Sequence, residues 1–473
     1  MSGAGDADDG RDRSDATGDS GGPDDGGGTG GTGGSPGSDG TDWGNRARVA
    51  LDRLVEASAF ERVLISFAAL LLSILIGAVV ILAAGRTATC ETAATTYFGY
   101  GFCYDPFRVY DRLFLGALGN PVNPLFDPLH GEFAAPIREG WTPFNSRLAD
   151  TLTETTVLVM TGLSVAVAFK AGIFNIGTQG QMVVGGLAST VGMLLVAPLV
   201  SGLAATVVLI TVGVVVGAVF GGLYGAIPGA LKAYADANEV ITTIMLNFVA
   251  SLVALYLLQN VFGDPESLST KTRDLPAEAS FPKLLYAPTD EFSILALVFV
   301  TLLVGATYYL LRYTSFGYDL RTSGLQPEAA EYGGVDAART VVASMTISGG
   351  LAGIAGTVYV LLFSGYFQLP LPAYGFDGIT VSILAGNNPL GVLPAAFLFG
   401  VLKSGAISIQ TDPNVDIPIQ LVGVLRGLII LFVAMPEFFR LLGKRLSNTG
   451  RRGRRLGGAV RSDGGHPGGE HDE

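Results

Sequence analysis

The chain has few side chains suited to covalent or metal chemistry: its 473 residues include three histidines and two cysteines. His130 falls in a polar loop and His466 and His471 in the C-terminal tail. No nucleophile–base pair or metal constellation forms inside the apolar segments, which excludes an intramembrane enzyme. Cys90 and Cys103, with no histidine beside them, do not complete a metal site. A Walker A phosphate cradle is also missing. Lys403 and Ser404 stand together, but FLFGVLKSG has no glycine immediately before the lysine. Charge is scarce at 15% of residues, against about 25% in soluble domains.

What fills the chain is apolar sequence: 49% of residues are hydrophobic and mean hydropathy is +0.46. Several runs exceed the roughly 18 residues that mark a transmembrane helix. The clearest are Val63 to Ala84, Leu148 to Phe169, Gln181 to Val200, Leu203 to Ala230, Val240 to Phe262, Phe292 to Leu311, Val341 to Phe363 and Ile417 to Met435. Shorter runs from Gly375 to Ala385 and Gly391 to Ile409 complete the set. The fold class is an all-α polytopic membrane protein with about ten transmembrane helices.

Basic residues orient it. Arg46, Arg48, Arg53 and Arg62 precede the first run, and Arg440, Lys444, Arg445, Arg451, Arg452, Arg454 and Arg455 follow the last. Short Lys/Arg-rich flanks stay in the cytoplasm, so both termini are expected there and the span count is even. The loop from Arg312 to Arg339 then also lies inside, with Lys170 and Lys232.

Five regions follow. Residues 1–45 form an acidic Gly/Asp/Ser tract with no aromatic residue before Trp43, expected to be a disordered cytoplasmic tail and not a signal peptide. Residues 46–84 hold the juxtamembrane segment and first span. Residues 85–147 form an outward loop carrying Cys90 and Cys103, where a disulfide and two free thiols both remain open. Residues 148–439 form the membrane core, and 440–473 a basic, then polar, cytoplasmic tail. Net charge is −12 and arginine outnumbers lysine, a balance suited to wet faces in high salt and a halophilic source.

Four polar interruptions carry the functional signal. FKAGIFNIGTQGQMVVGG, from Phe169, sets Asn175, Gln179 and Gln181 among glycines between two apolar runs, which reads as glycine packing or as a solute path. ANEVITTIMLNFVA, from Ala237, places Asn238 and Glu239 at a span mouth, as gate or helix cap, and Asn247 within the span, one turn from Thr243. GYDLRTSGLQPEAAEYGG, from Gly317, predicts a short loop helix from Pro327 to Gly333 or Gly334, a connector or a docking element. In YGFDGITVSILAGNNPLG, from Tyr374, Asp377 is either a cap or a functional acid, and Asn387, Asn388 and Pro389 break the next run.

Together these stretches resemble the permease subunits of ATP-binding-cassette importers, in the branch that takes up nucleosides and simple sugars. The resemblance runs from about Leu148 to Phe439, with FNIGTQGQ similar to the longer of two paired nucleoside permeases. Where that family carries an acid before the second glycine, this chain has Gln179. The resemblance implies a non-enzymatic channel half that pairs with a paralogous second permease. Two cytoplasmic ATP-binding subunits and an extracellular substrate-binding lipoprotein complete the assembly. ATP and magnesium would bind the partner ATPase, with no cofactor and no nucleic acid on this chain.

By the same resemblance, Pro327, Glu328, Ala329, Ala330 and Gly333 would form the ATPase coupling helix. Asn175, Gln179, Gln181, Asn247 and Asn388 are expected along the substrate path of a multi-pass protein in the cell membrane. Uncharged amides suit a neutral, hydroxyl-rich solute, a purine nucleoside first and a monosaccharide such as glucose or ribose second. An ion-coupled secondary transporter would need buried acids; Glu154, Glu239 and Asp377 are the candidates, all near expected span ends.

Overall fold

The computed structural model describes residues 59–90, 93–97, 99–121, 141–411 and 417–434. The tails expected at 1–45 and 440–473 lie outside these residues. Among the described residues, eight helices are long and apolar enough to cross a membrane. The first is α1 (Ala59–Thr87). A two-stranded hairpin, β1 (Thr95–Tyr97) and β2 (Tyr100–Phe102), follows it, closed by a Cys90–Cys103 disulfide. Then comes α2 (Pro106–Tyr110), which continues as a wider π turn over Asp111–Leu115.

The bundle itself opens with α3 (Ser146–Lys170), α4 (Thr178–Val196), α5 (Leu203–Ala235) and α6 (Glu239–Leu257). After a long connection come α7 (Ile294–Tyr313) and two short helices, α8 (Ser315–Leu325) and α9 (Pro327–Tyr332). The set closes with α10 (Ala337–Tyr359), α11 (Tyr374–Leu384), α12 (Pro389–Gln410) and α13 (Ile419–Ala434).

Helix α3 is the axis of the bundle. Every residue from Thr153 to Ala168 is buried, so it has no outward face, whereas α6 and α7 expose Phe248, Leu252, Tyr256 and Leu302 as surface helices in lipid do. Four of its five threonines bond back along the helix, as in Thr155 Oγ1 to Thr151 O at 2.6 Å. Around it, α4, α5 and α10 come together through glycine. A Cβ on Gly353 would land on the Gly217 carbonyl, and one on Gly185 on the Gly353 backbone. Small residues permit that approach, which is how helices associate where no hydrophobic effect separates protein from solvent. A second apolar cluster joins α1, the π turn, α12 and α13 through Ile81, Leu113, Leu402 and Leu425.

The run expected to span at Gly375 to Ala385 is corrected. Helix α11 has 11 residues, about 16 Å at 1.5 Å each, against a hydrocarbon core of about 30 Å. It is preceded by irregular chain over 365–373, tied at its start to the α6–α7 connection. There, Leu275 N donates to Gly365 O at 2.8 Å, Thr272 N to Phe367 O at 2.9 Å, and Phe367 N to Thr272 Oγ1 at 3.0 Å.

Two ends of the bundle can be told apart. Gly172, at the end of α3, abuts Gly324 of α8, so Lys170, α8 and α9 share one end. At the other, Tyr286 donates to Pro143 O at 3.0 Å, and Thr151 Oγ1 to Ala117 O at 2.7 Å, gathering the α6–α7 connection and the disulfide loop at the start of α3.

Candidate substrate path and charged triad

The break between α3 and α4 forms because Gly172 takes φ +74°, and the chain then leaves helical bonding until Thr178. Amide side chains replace the lost backbone bonds. Asn175 Nδ2 donates to Gln181 Oε1 at 2.9 Å and to Ser348 Oγ at 2.8 Å, while its Oδ1 accepts from Gly177 N at 3.0 Å. Gln181 Nε2 returns a bond to Asn175 Oδ1 at 3.2 Å. Ser348 of α10 in turn bonds Ser164 O of α3 at 2.7 Å. Asn247, from α6, donates to Ile176 O at 3.0 Å and accepts from Gly180 N at 2.8 Å.

Gln179 serves the second break in the same way. Its Nε2 donates to Pro372 O at 3.0 Å and its Oε1 accepts from Gly375 N at 2.7 Å, so one side-chain amide acts as the missing peptide at the start of α11. Gly375 is required there, because a Cβ would strike the Gln179 backbone. Four of the five path residues named from sequence thus converge on one braced region. All four are buried and engaged, and what they hold open is irregular backbone. Asn388 stands apart, exposed, capping α12 by accepting from Leu390 N at 3.2 Å.

Asn238 caps α6, accepting from Val240 N at 3.0 Å and Ile241 N at 3.1 Å. Glu239 pairs with Lys232 at 3.5 Å. Asp377 makes no cap bond; the N-cap of α11 is Ala373, and Asp377 lies in the first turn. Its partner is Lys403 of α12, Nζ to Oδ2 at 3.3 Å.

Lys403 is the residue that sequence reasoning missed. It stands in an apolar helix, and its Nζ lies 3.3 Å from Glu154 Oε2, 3.3 Å from Asp377 Oδ2 and 3.4 Å from the centre of the Tyr374 ring. Three helices therefore meet on one ammonium, backed by a cation–π contact. The available signal was a lone lysine in a membrane span, which marks a functional position by default. Glu154, in the first half of α3, is buried. Towards the disulfide end, Glu291 sits just before α7. Burial and the nearby Asp150 and Glu154 carboxylates push its carboxyl up to about 6, with Lys283 opposing.

In the segment expected to couple, α9 runs from Pro327 to Tyr332 with Gly333 at its C-cap. Glu328 and Ala329 are exposed, but Ala330 is 6% exposed and faces its own chain. The projecting side chains are Leu325 at 87% and Tyr332 at 96%. Among the described residues, no group of His, Cys, Asp and Glu is arranged to hold a metal ion.

A bundle of long apolar helices with braced irregular breaks fits a transport permease, and sequence comparison shows the family. Residues 147–434 match the model of the branched-chain amino acid transport system / permease component family. The chain belongs to this family, as a permease subunit of the importer branch that its motifs resemble. It is 31% identical over 384 residues to a nucleoside ABC transporter permease protein, NupB, of Lactococcus lactis, covering 79% of this chain and 91% of that protein. It is 33% identical to a guanosine ABC transporter permease protein, NupP, of Bacillus subtilis, covering 64% and 85%. A glucose ABC transporter permease protein, TsgB13, of Haloferax volcanii is 30% identical, covering 62% and 77%.

Proposed function

We propose that this chain is one of two paralogous permeases of an ATP-driven importer that takes up a nucleoside, with purine nucleosides as first choice. The carrying observation is likeness to a nucleoside permease across 91% of that protein's length. Pairing of two permeases is supported by the second relatives from the same two bacteria, NupC and NupQ. A cytoplasmic ATPase binds ATP and magnesium, and an extracellular lipoprotein delivers the solute.

Both termini are cytoplasmic. The irregular run 365–373 followed by α11 makes one full crossing, which keeps the count even and leaves the Lys170 end, with α8 and α9, inside. The disulfide loop and the α6–α7 connection face out. Irregular backbone at membrane depth must face water or protein. The path therefore runs along 365–373, with Asn175, Gln179, Gln181 and Asn247 as its braces and Asn388 at its inner side. A monosaccharide is the second reading, favoured by the glucose permease relative. The acidic balance of the chain fits a high-salt source.

Uptake of labelled guanosine, adenosine, glucose and ribose, in cells lacking the chain and then restored, tests this. Restored ATP-dependent nucleoside uptake supports the proposal. Restored sugar uptake replaces the solute, and restoration of neither sinks it.

A further inference from the structure

Resting on that importer reading, we propose that Asp377 is a solute-contacting carboxylate held by Lys403, and that Glu154 is the resident counter-ion that lets Lys403 release it. Lys403 has two partners at equal distance, 3.3 Å each, but the partners are not equivalent. The Glu154 side chain is 9% exposed and sits on the fully packed α3. The Asp377 side chain is 22% exposed and sits on a half-helix behind the exposed Pro372 and Ala373. Phe376 beside it is 43% exposed. On the importer reading we assign this exposure to the path, because irregular backbone between spans is tolerated only where protein or water covers it.

A buried ammonium with one carboxylate partner cannot lose it cheaply, because breaking such a pair leaves an uncompensated charge. With two partners, one can leave. Glu154 Oε2 is buried and receives no aligned hydrogen bond, so it has acceptor capacity to hold Lys403 alone. Lys403 is also steadied over Tyr374, itself 2% exposed.

The chemistry of the solute follows. The N–H groups that open α11 are taken: Gly375 by Gln179, and Tyr374, Phe376 and Asp377 by the carbonyls of Pro372 and Ala373. The half-helix therefore offers no anion cradle. Two carboxylates against one ammonium leave the triad net negative. A released carboxylate accepts strong charge-assisted hydrogen bonds from hydroxyl and N–H groups. The site takes a neutral solute rich in donors and rejects its phosphorylated form.

The test uses the complete importer in vesicles supplied with ATP, and reads thermal stability and uptake separately. For stability, K403M should unfold earlier, E154Q/K403M should recover most of the loss, and D377A should stay near wild type. D377A unfolding as early as K403M would overturn the asymmetry of the pair. For uptake, guanosine and its dideoxy analogue are compared with one binding protein throughout, so that protein's own preference cancels between variants. D377A should lower guanosine uptake at least tenfold while ATP hydrolysis persists, and lower uptake of the analogue much less. Equal losses, or none, would overturn the solute contact. If the wild-type complex moves a sugar instead, the same comparison runs with that sugar and its deoxy form. If it moves neither, the importer reading fails while the stability arm still decides the pairing.

Discussion

Gln179 and Gly375, far apart in sequence, are joined by a 2.7 Å hydrogen bond from the Gly375 N–H to Oε1 of the glutamine. Nε2 of the same amide meets Pro372 O at 3.0 Å. One side chain thereby replaces a peptide unit at the point where irregular chain becomes helix.

Removing that amide should be costly. Gln179→Leu strands the buried Gly375 N–H, worth about 1–3 kcal/mol when left unpaired, and removes the donor to the Pro372 carbonyl. The variant should lose about 2 kcal/mol or more and transport poorly. Gln179→Glu keeps the acceptor for Gly375 but not the donor to Pro372, and should fall between. Thermal unfolding of the purified chain in detergent ranks the three; equal stability of Gln179→Leu and wild type would refute the bracing role.

The α5–α10 contact makes a sharper steric prediction. Gly353→Ala drives a methyl into the Gly217 carbonyl, while Gly423→Ala, in α13, meets nothing within 4 Å. Overpacking of this kind costs about 1–3 kcal/mol. The first variant should assemble poorly and the second behave as wild type, measured as monodisperse protein recovered from membranes.

These relationships were unequally legible in the sequence. Apolar runs announce helices because lipid demands that backbone groups be satisfied within each segment, so nearly all the long spans could be read directly. The short helix α11 and the irregular chain before it could not, since that chain carries no periodic signal. Asn175, Gln179, Gln181 and Asn247 stood out as amides in apolar sequence, and Asn175 and Gln181 are close enough to pair locally, but Ser348, Gly375 and the Asn247 contacts lie far off in the chain and no local pattern names them. Lys403 was read for a phosphate motif it lacks, and its two carboxylates lie on separate helices far from it in sequence. Ala330 faces inward on a helix of six residues, too short for periodicity to tell its faces apart.

That last point redirects any test of coupling. Leu325 and Tyr332 project from the α8–α9 elbow, whereas Ala330 packs inward. Leu325→Ser with Tyr332→Ser should leave folding intact and weaken co-purification with the proposed ATPase subunit several-fold. Ala330→Phe should instead destabilise the chain itself, by overpacking of about 1–3 kcal/mol. Intact ATPase binding and coupled transport in the double serine variant would remove this elbow as the docking element.

Glu291 supplies a pH dependence whose sign is fixed by the direction of its shift. Burial and the Asp150 and Glu154 carboxylates raise its carboxyl from 4.5 to about 6. The native state thus binds this proton more tightly than the unfolded chain, so stability is greatest below pH 4.5 and falls as pH rises towards 6. Above that the penalty is constant. A shift of this size corresponds to about 2 kcal/mol, and solvent screening of a half-buried group reduces it to about 1 kcal/mol. Glu291→Gln removes the charge that is being penalised. The variant should therefore unfold at a higher temperature than wild type at pH 7.5, by an amount that shrinks towards pH 4.5, and this can be measured by thermal unfolding across that range. A constant difference at every pH would mean that Glu291 acts through packing and not through its charge.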